Sequence, residues 1–486
     1  MSRTFHRLLN IALLGASAAA LQAQGGAAPI QAPTQASSKV ASKAAPAAQA
    51  IPAASKSGKI AIDKSTLPNG LRLQLVEDHS SQVVSVSLWF DVGARDELKG
   101  KTGFAHLFEH MMFQGSANVK KAEHGQLIER AGGQTNANTQ YDITRYYETV
   151  PSNRVNLALW LEAERLRSLT VNAENLKNQI EAVKEERRLR VDNQPYGKAI
   201  WEAPLPLFDA GSCFAYAHSL IGSMDDLNAS SVDDVKAFFT QYYAPNNAVL
   251  TIAGDIKPSE VKKMVAEYFG SIPRQPDQPK PKCDQKFNVG AKRASVSDDK
   301  ATLPAVMTIY RVPATSHADY PALDLLTAIL GTGESSRFNK VLAREKKLAL
   351  GQQLYLNPFG PRRGPGMWLA LAIANQGVLV DSLEAGMTAE IARVARDGVT
   401  EAELSKAKSQ YRAGKVNERQ TAFEMTEAIQ AATIYLGSAE AINTDLDRYA
   451  NVTVADIKRV AATYLVPANS LVVTINPDAK KGGPVP

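Results

Sequence analysis

Two stretches of this 486-residue chain close in nearly the same way. Tyr243-Ala-Pro-Asn-Asn-Ala-Val-Leu-Thr-Ile and Tyr464-Leu-Val-Pro-Ala-Asn-Ser-Leu-Val-Val-Thr-Ile lie 222 residues apart, counted from Pro245 to Pro467. An amphipathic helical pattern precedes each, Val232–Tyr242 and Val454–Tyr464. Recurrence at the end of each half points to a duplicated domain, with a Pro- and Lys-rich linker around Ile272–Lys282. Within the first half, strand-like runs (Leu71–Val76, Val83–Val92, an extended Thr135–Val150 segment, Val249–Ala253) mix with helical ones (Phe104–Phe113, Glu123–Ala131, 155–169, 173–191). No strict βαβ alternation appears, so the expected class is α+β, each half a mostly antiparallel sheet packed with helices. The expected boundaries are 59–271 for an N-terminal domain, 272–290 for the linker, 291–478 for its C-terminal homologue and 479–486 for a tail.

The chain outside those halves reads differently. Arg3 and Arg7 precede a mostly apolar run from Leu8 to Leu21, with small residues Ala18, Ala20 and Ala23 after its core. That is the pattern of a cleavable signal peptide over residues 1–23, and the run is too short and interrupted to span a membrane. Residues 24–58 are Ala, Pro, Gln, Ser and Lys, a composition that cannot bury enough surface to order itself, so a tether is expected. These two segments also explain the charge. Of the net +6, five positive charges (Arg3, Arg7, Lys39, Lys43, Lys56) lie before residue 59 with no acid among them, leaving +1 for the rest. The basic balance therefore marks no nucleic-acid surface, and no basic stripe with interleaved aromatics is present. With 44% hydrophobic and 21% charged residues the remainder is globular. The only two cysteines, Cys213 and Cys283, exclude a disulfide scaffold and a Cys-based zinc site. Export would permit them to pair, but their positions in sequence do not say whether they meet.

The chemistry concentrates in Thr102-Gly-Phe-Ala-His106-Leu-Phe-Glu109-His110-Met-Met-Phe-Gln-Gly115. On a helix, positions i, i+3 and i+4 share a face. His106, Glu109 and His110 therefore converge, while Phe104, Leu107, Phe108 and Met111 form an opposite, docking stripe. Two imidazoles one turn apart can chelate one zinc, and a carboxylate beside them can take a proton from water activated by that metal. A catalytic zinc needs a third protein ligand. His79, His124, His218 and His317 have no partners that recommend one over another. In Asn178-Gln-Ile-Glu-Ala-Val-Lys-Glu-Glu-Arg-Arg, Glu181 and Glu185 point away from the apolar stripe Leu176/Ile180/Val183. Glu186 lies at its edge, on the flank of Gln179, and is the one carboxylate aimed inward.

His-x-x-Glu-His, with Val92–Glu97, Gly132-Gly-Gln-Thr-Asn-Ala137, Glu185–Arg188, Asn193-Gln-Pro-Tyr-Gly197 and Tyr243–Asp255, resembles the pitrilysin/insulinase family of zinc peptidases, in particular the mitochondrial-processing-peptidase type and its bacterial relatives. The resemblance covers nearly everything from 60 to 477. It implies two homologous domains forming a clam-like chamber, and one zinc per chain held by His106, His110 and Glu186. It also implies Glu109 as general base and an edge strand at Asn136 and Ala137 that pairs with the substrate backbone.

Two positions depart from the family pattern. Many members carry Glu where this chain has Gln179, a position that supports the ligands by hydrogen bonding. Members that cleave unaided carry an Arg…Tyr pair in the second half; here Arg344 is present, but Leu350 takes the Tyr position and cannot donate to an oxyanion. The expectation is an exported, periplasmic or secreted zinc endopeptidase acting on peptides or unfolded segments. It would be the catalytic subunit beside a homologous chain that supplies the Arg/Tyr pair, or a homodimer. The competing expectation is a non-catalytic assembly subunit of the core-protein kind, which would have no use for an intact His106/Glu109/His110/Glu186 set.

Overall fold

A computed structural model describes residues 59–208, 211, 213–281, 283 and 290–478. The expected signal peptide, tether and tail lie outside the described residues, as do 282 and 284–289 of the linker. The described residues from 60 to 478 group as one unit. The first sheet runs in the order β1-β2-β6-β3-β5-β4. Its strands are β1 (Asp63–Thr66), β2 (Arg72–Glu77), β3 (Val83–Phe90), β4 (Gln134–Thr139), β5 (Thr144–Pro151) and β6 (Ala248–Gly254). The second runs β7-β11-β8-β10-β9, from β7 (Lys292–Asp298), β8 (Ala305–Val312), β9 (Ala349–Leu356), β10 (Gly366–Ala374) and β11 (Ser470–Pro477). Leaving out β1, the two strand orders are the same. In each sheet one pair is parallel, β2 with β6 and β7 with β11, and every other pair is antiparallel.

The helices that matter for the site are α1 (Phe104–Met111), α2 (Ala173–Arg187), α3 (Val232–Tyr242), α4 (Ala422–Leu436) and α5 (Val454–Tyr464). The 222-residue offset read from the sequence recurs element by element: β3 and β8, β5 and β10, α3 and α5, and β6 and β11 begin that far apart. Capping is repeated too, with Ser231/Asp234 and Thr453/Asp456 each forming a reciprocal box at the helix start. The fold is α+β with two related domains. The extended Thr135–Val150 segment is not one strand but a hairpin, β4 and β5, reversing around Gln140–Ile143.

The halves interlock. In β3, Val84, Val86, Leu88 and Phe90 face the core that holds α1. Ser85, Ser87 and Trp89 point the other way, which by alternation alone would be the wet face. They are buried instead, because α4 of the second half lies across them. Gln430 Nε2 donates to the carbonyls of Ser87 (3.0 Å) and Val249 (2.8 Å), and Glu427 receives Ser87, Trp89 and Arg145. The exchange is returned by residues 199–208 and 213–217 of the first half. There Ala199, Leu207, Phe208 and Tyr216 cover the face of the second sheet made by Met307, Ile309, Leu369 and Val473. Cys213, in that same segment, forms a disulfide with Cys283. Arg363 adds a charged tie, its backbone N–H donating to Asp142 (3.0 Å) and its guanidinium to both oxygens of Asp91 (2.7 Å). No helix among the described residues is long and apolar enough to cross a membrane.

Candidate metal centre

Helix α1 begins at Gly103, whose positive φ of 91° suits glycine, and a Cβ there would come within 3.0 Å of Gly222. Its free N-terminal N–H groups are taken by one buried carboxylate: Gly103 N donates to Glu97 Oε2 and Ala105 N to Oε1, both at 2.8 Å. Burial pushes the Glu97 carboxyl well above its usual range, while those two backbone donors pull it back. Thr102 is tied to Asp226 through its N–H (2.9 Å) and hydroxyl (2.6 Å). The stripe expected to dock does so: Phe104, Leu107, Phe108 and Met111 are all 2% exposed or less. The helix is thus clamped at its start and along its apolar face, with the histidine face left over for chemistry.

Helix α2 brings the third group. Its Asn172 side chain accepts from Asn175 N, and its stripe Leu176, Ile180 and Val183 is buried as expected. Glu185 and Glu181 stay exposed, and Glu186 alone of these acids turns to the histidines. Glu186 Oε2 stands 3.1 Å from His110 Nε2 and 3.4 Å from His106 Nε2. The three donor atoms lie within 4.8 Å of one another. Ligands held about 2.1 Å from one tetrahedral zinc lie about 3.4 Å apart, so two imidazole nitrogens and a carboxylate oxygen at these spacings fit zinc. Without a cation between them, burial disfavours charge on His106, yet the hydrogen bond and charge of Glu186 outweigh it and raise its pKa. Burial likewise opposes charge on Glu186, but the two histidines hold its carboxyl far below the usual range.

Glu109 is half-buried on the same helix face. Edge strand β4 packs against α1, with Thr139 Oγ1 donating to the Ala105 carbonyl at 3.4 Å. Asn136 on β4 is exposed and Ala137 is buried, the Asn136 side chain accepting from Ala137 N at 2.8 Å. Gln179 is half-buried two turns before Glu186. Arg190, which no motif in the sequence singles out, holds the Glu186 carboxylate: its guanidinium reaches Oε1 at 2.6 Å. Its i+4 spacing from Glu186 was the available signal.

In the second half, Arg344 lies in a π-helical turn (Asn339–Glu345) and pairs with Glu334 at 2.7 Å. Leu350 is 64% exposed near the start of β9, where the register with β10 shifts. A second His/carboxylate group, His124, Glu148 and Glu162, is fully buried behind β4. Arg165 pairs with Glu162 inside it and so supplies the positive charge a cation would bring. Burial, with Arg165 adding to it, lowers the His124 pKa to about 3, leaving a neutral imidazole 3.1 Å from Glu148.

Residues 72–202 match the model of Insulinase (Peptidase family M16), and 230–411 match that of the Peptidase M16 inactive domain. The zinc protease PqqE of Helicobacter pylori is 29% identical over 416 residues, 85% of this chain and 92% of that one. A solved protease from Helicobacter pylori superposes with a TM-score of 0.81 at 28% identity, over 86% of this chain and 100% of the other. The first half of the periplasmic protease PqqL from Escherichia coli gives a TM-score of 0.70 at 17% identity, over 87% and 94% of the two chains, a likeness of fold. With the inverted motif and its downstream Glu in place, and with the clam-like two-domain fold around them, the chain belongs to the pitrilysin/insulinase family of zinc peptidases.

Proposed function

We propose that this chain is an exported zinc endopeptidase that hydrolyses peptide bonds in peptides or unfolded segments. His106, His110 and Glu186 hold the metal, and the observation that carries the reading is their convergence, with Glu186 Oε2 3.1 and 3.4 Å from the two Nε2 atoms. Zinc in that position supplies Lewis acidity, making a water acidic near neutral pH and polarising a carbonyl oxygen. Glu109, on the same helix face as both histidines, accepts the proton of the attacking water and hands it to the leaving amine. Asn136 and Ala137 on edge strand β4 align the substrate backbone by strand addition, which gives affinity with loose sequence preference. Gln179 supports α2 near the ligand.

The domain limits we propose are 59–271 and 291–478, joined by 272–290. Export through a cleavable signal at 1–23, with 24–58 as tether, is supported by the Cys213–Cys283 disulfide, since such bonds persist in oxidising compartments. The second half offers Arg344, already paired with Glu334, and Leu350 in place of a hydroxyl donor. We therefore assign the missing oxyanion contact to a homologous partner chain carrying the Arg/Tyr pair.

The test is metal analysis of purified protein with Glu109→Gln beside it. The variant keeps one zinc per chain and loses about 10²- to 10⁴-fold in cleavage of a quenched fluorescent peptide. Wild-type protein with neither stoichiometric zinc nor cleavage, alone or with a homologous subunit, would identify a scaffold. Full cleavage by this chain alone would remove the partner.

A further inference from the structure

Glu186 has two carboxylate oxygens, and only one faces the histidines. The other, Oε1, is 2.6 Å from the Arg190 guanidinium. Two charged pairs along this helix open to solvent: Arg188–Glu185 is about half exposed on both sides, and Glu181 of the Lys184 pair is 59% exposed. Exposed pairs of that kind contribute little. Arg190–Glu186 differs, because its side chains are 26% and 17% exposed and the acid is already engaged on its far side. Arg190 also sits where α2 gives way to a π-helical turn, Arg188–Asp192, a widening often found at functional positions. Arg187, just before the turn, is anchored to the Gly222 carbonyl (2.9 Å) and to Glu202, which fixes the backbone that carries Arg190.

A carboxylate beside a zinc can bind through one oxygen or two. Two would fill the position that an attacking water needs, since a catalytic site keeps three protein ligands and one open place. We propose that Arg190 is a positioning residue that occupies Glu186 Oε1 and thereby restricts Glu186 to a single donor oxygen. The proposal rests on His106, His110 and Glu186 being the ligand set.

Cobalt(II) replaces zinc for the test, because its visible band is intense in four-coordinate sites and weakens as the coordination number rises. Titration of the isolated chain needs no partner subunit. Arg190→Met still takes up one cobalt per chain, but its band weakens. In the active assembly its kcat falls about 10- to 100-fold with KM within about twofold. Arg190→Lys, which keeps a cationic donor, restores the band and most of the rate. An unaltered band in Arg190→Met overturns the proposal, and so does loss of the metal altogether, which would make Arg190 a determinant of affinity. Wild-type protein that binds no stoichiometric cobalt overturns the ligand set itself, and the proposal with it. Thermal unfolding of each variant checks that the fold is retained.

Discussion

Ile429 belongs to the second half by sequence, yet its side chain is fully buried against Val76 and Ala253 of the first sheet. Ile429→Ala removes three buried carbons, worth about 2.4 kcal/mol at ~0.8 kcal/mol per CH₂. A residual cavity of ~80 Å³ at ~24 cal/mol per Å³ would carry the cost to about 4 kcal/mol, since backbone on both sides limits collapse. The informative measurement is where the loss appears. Native-state hydrogen exchange followed by mass spectrometry resolves peptides from both sheets. Because α4 covers β3 and β6 while 199–208 and 213–217 cover β8 and β10, the amides of all four strands should lose protection together, by about 2–4 kcal/mol. The helix that carries His106 and His110 packs on the opposite face of the first sheet, so metal uptake under native conditions should persist. Loss of protection confined to α4 and the second sheet, with β3 and β6 unchanged, would refute the interlock and mean that each half folds alone.

Three further outcomes are expected. Glu186→Gln should weaken zinc binding by more than the roughly 10- to 100-fold typical of losing an outer partner, as read by chelator competition, with unfolding of the metal-free protein little changed. Cys283→Ser opens a loop that spans 70 residues of sequence separation, and should lower unfolding free energy by about 2–4 kcal/mol. Thiol titration of the untreated wild-type protein should find no free cysteine. The third concerns pH. Glu403 makes a two-pronged pair with Arg337 (2.7 and 2.8 Å), and that hydrogen bond, against partial burial, lowers its pKa to about 2. A depressed folded-state pKa adds stability above the unfolded value near 4.5 that is lost as pH falls toward 2. The pair is partly exposed, so the effect is no more than about 1 kcal/mol, and Glu403→Gln should flatten the acid limb of stability between pH 5 and 2.

Local rules carried much of this protein. The helical period alone separated His106, Glu109 and His110 from the buried Phe104/Leu107/Phe108/Met111 stripe, because three-and-four spacing puts residues on one face whatever surrounds the helix. The same rule singled out Glu186 among its acidic neighbours. The repeated Tyr…Pro…Asn ending announced the duplication, and Val232–Tyr242 and Val454–Tyr464 are helices to the residue because Ser231 and Thr453 cap them. Tertiary structure decided what periodicity leaves open. Alternation in β3 marks Ser85 and Ser87 as one face but cannot say what covers it; a helix more than 330 residues away does. No spacing rule joins Cys213 to Cys283 or Glu97 to the start of α1, since these contacts depend on where chain segments cross. Arg190 shows the limit most sharply. Its place one turn beyond Glu186 was readable, but an i+4 pair becomes more than a solvated surface contact only when folding brings His106 and His110 to the other oxygen. Patterns in sequence set which face a side chain takes; the chain's return across itself sets what that face meets.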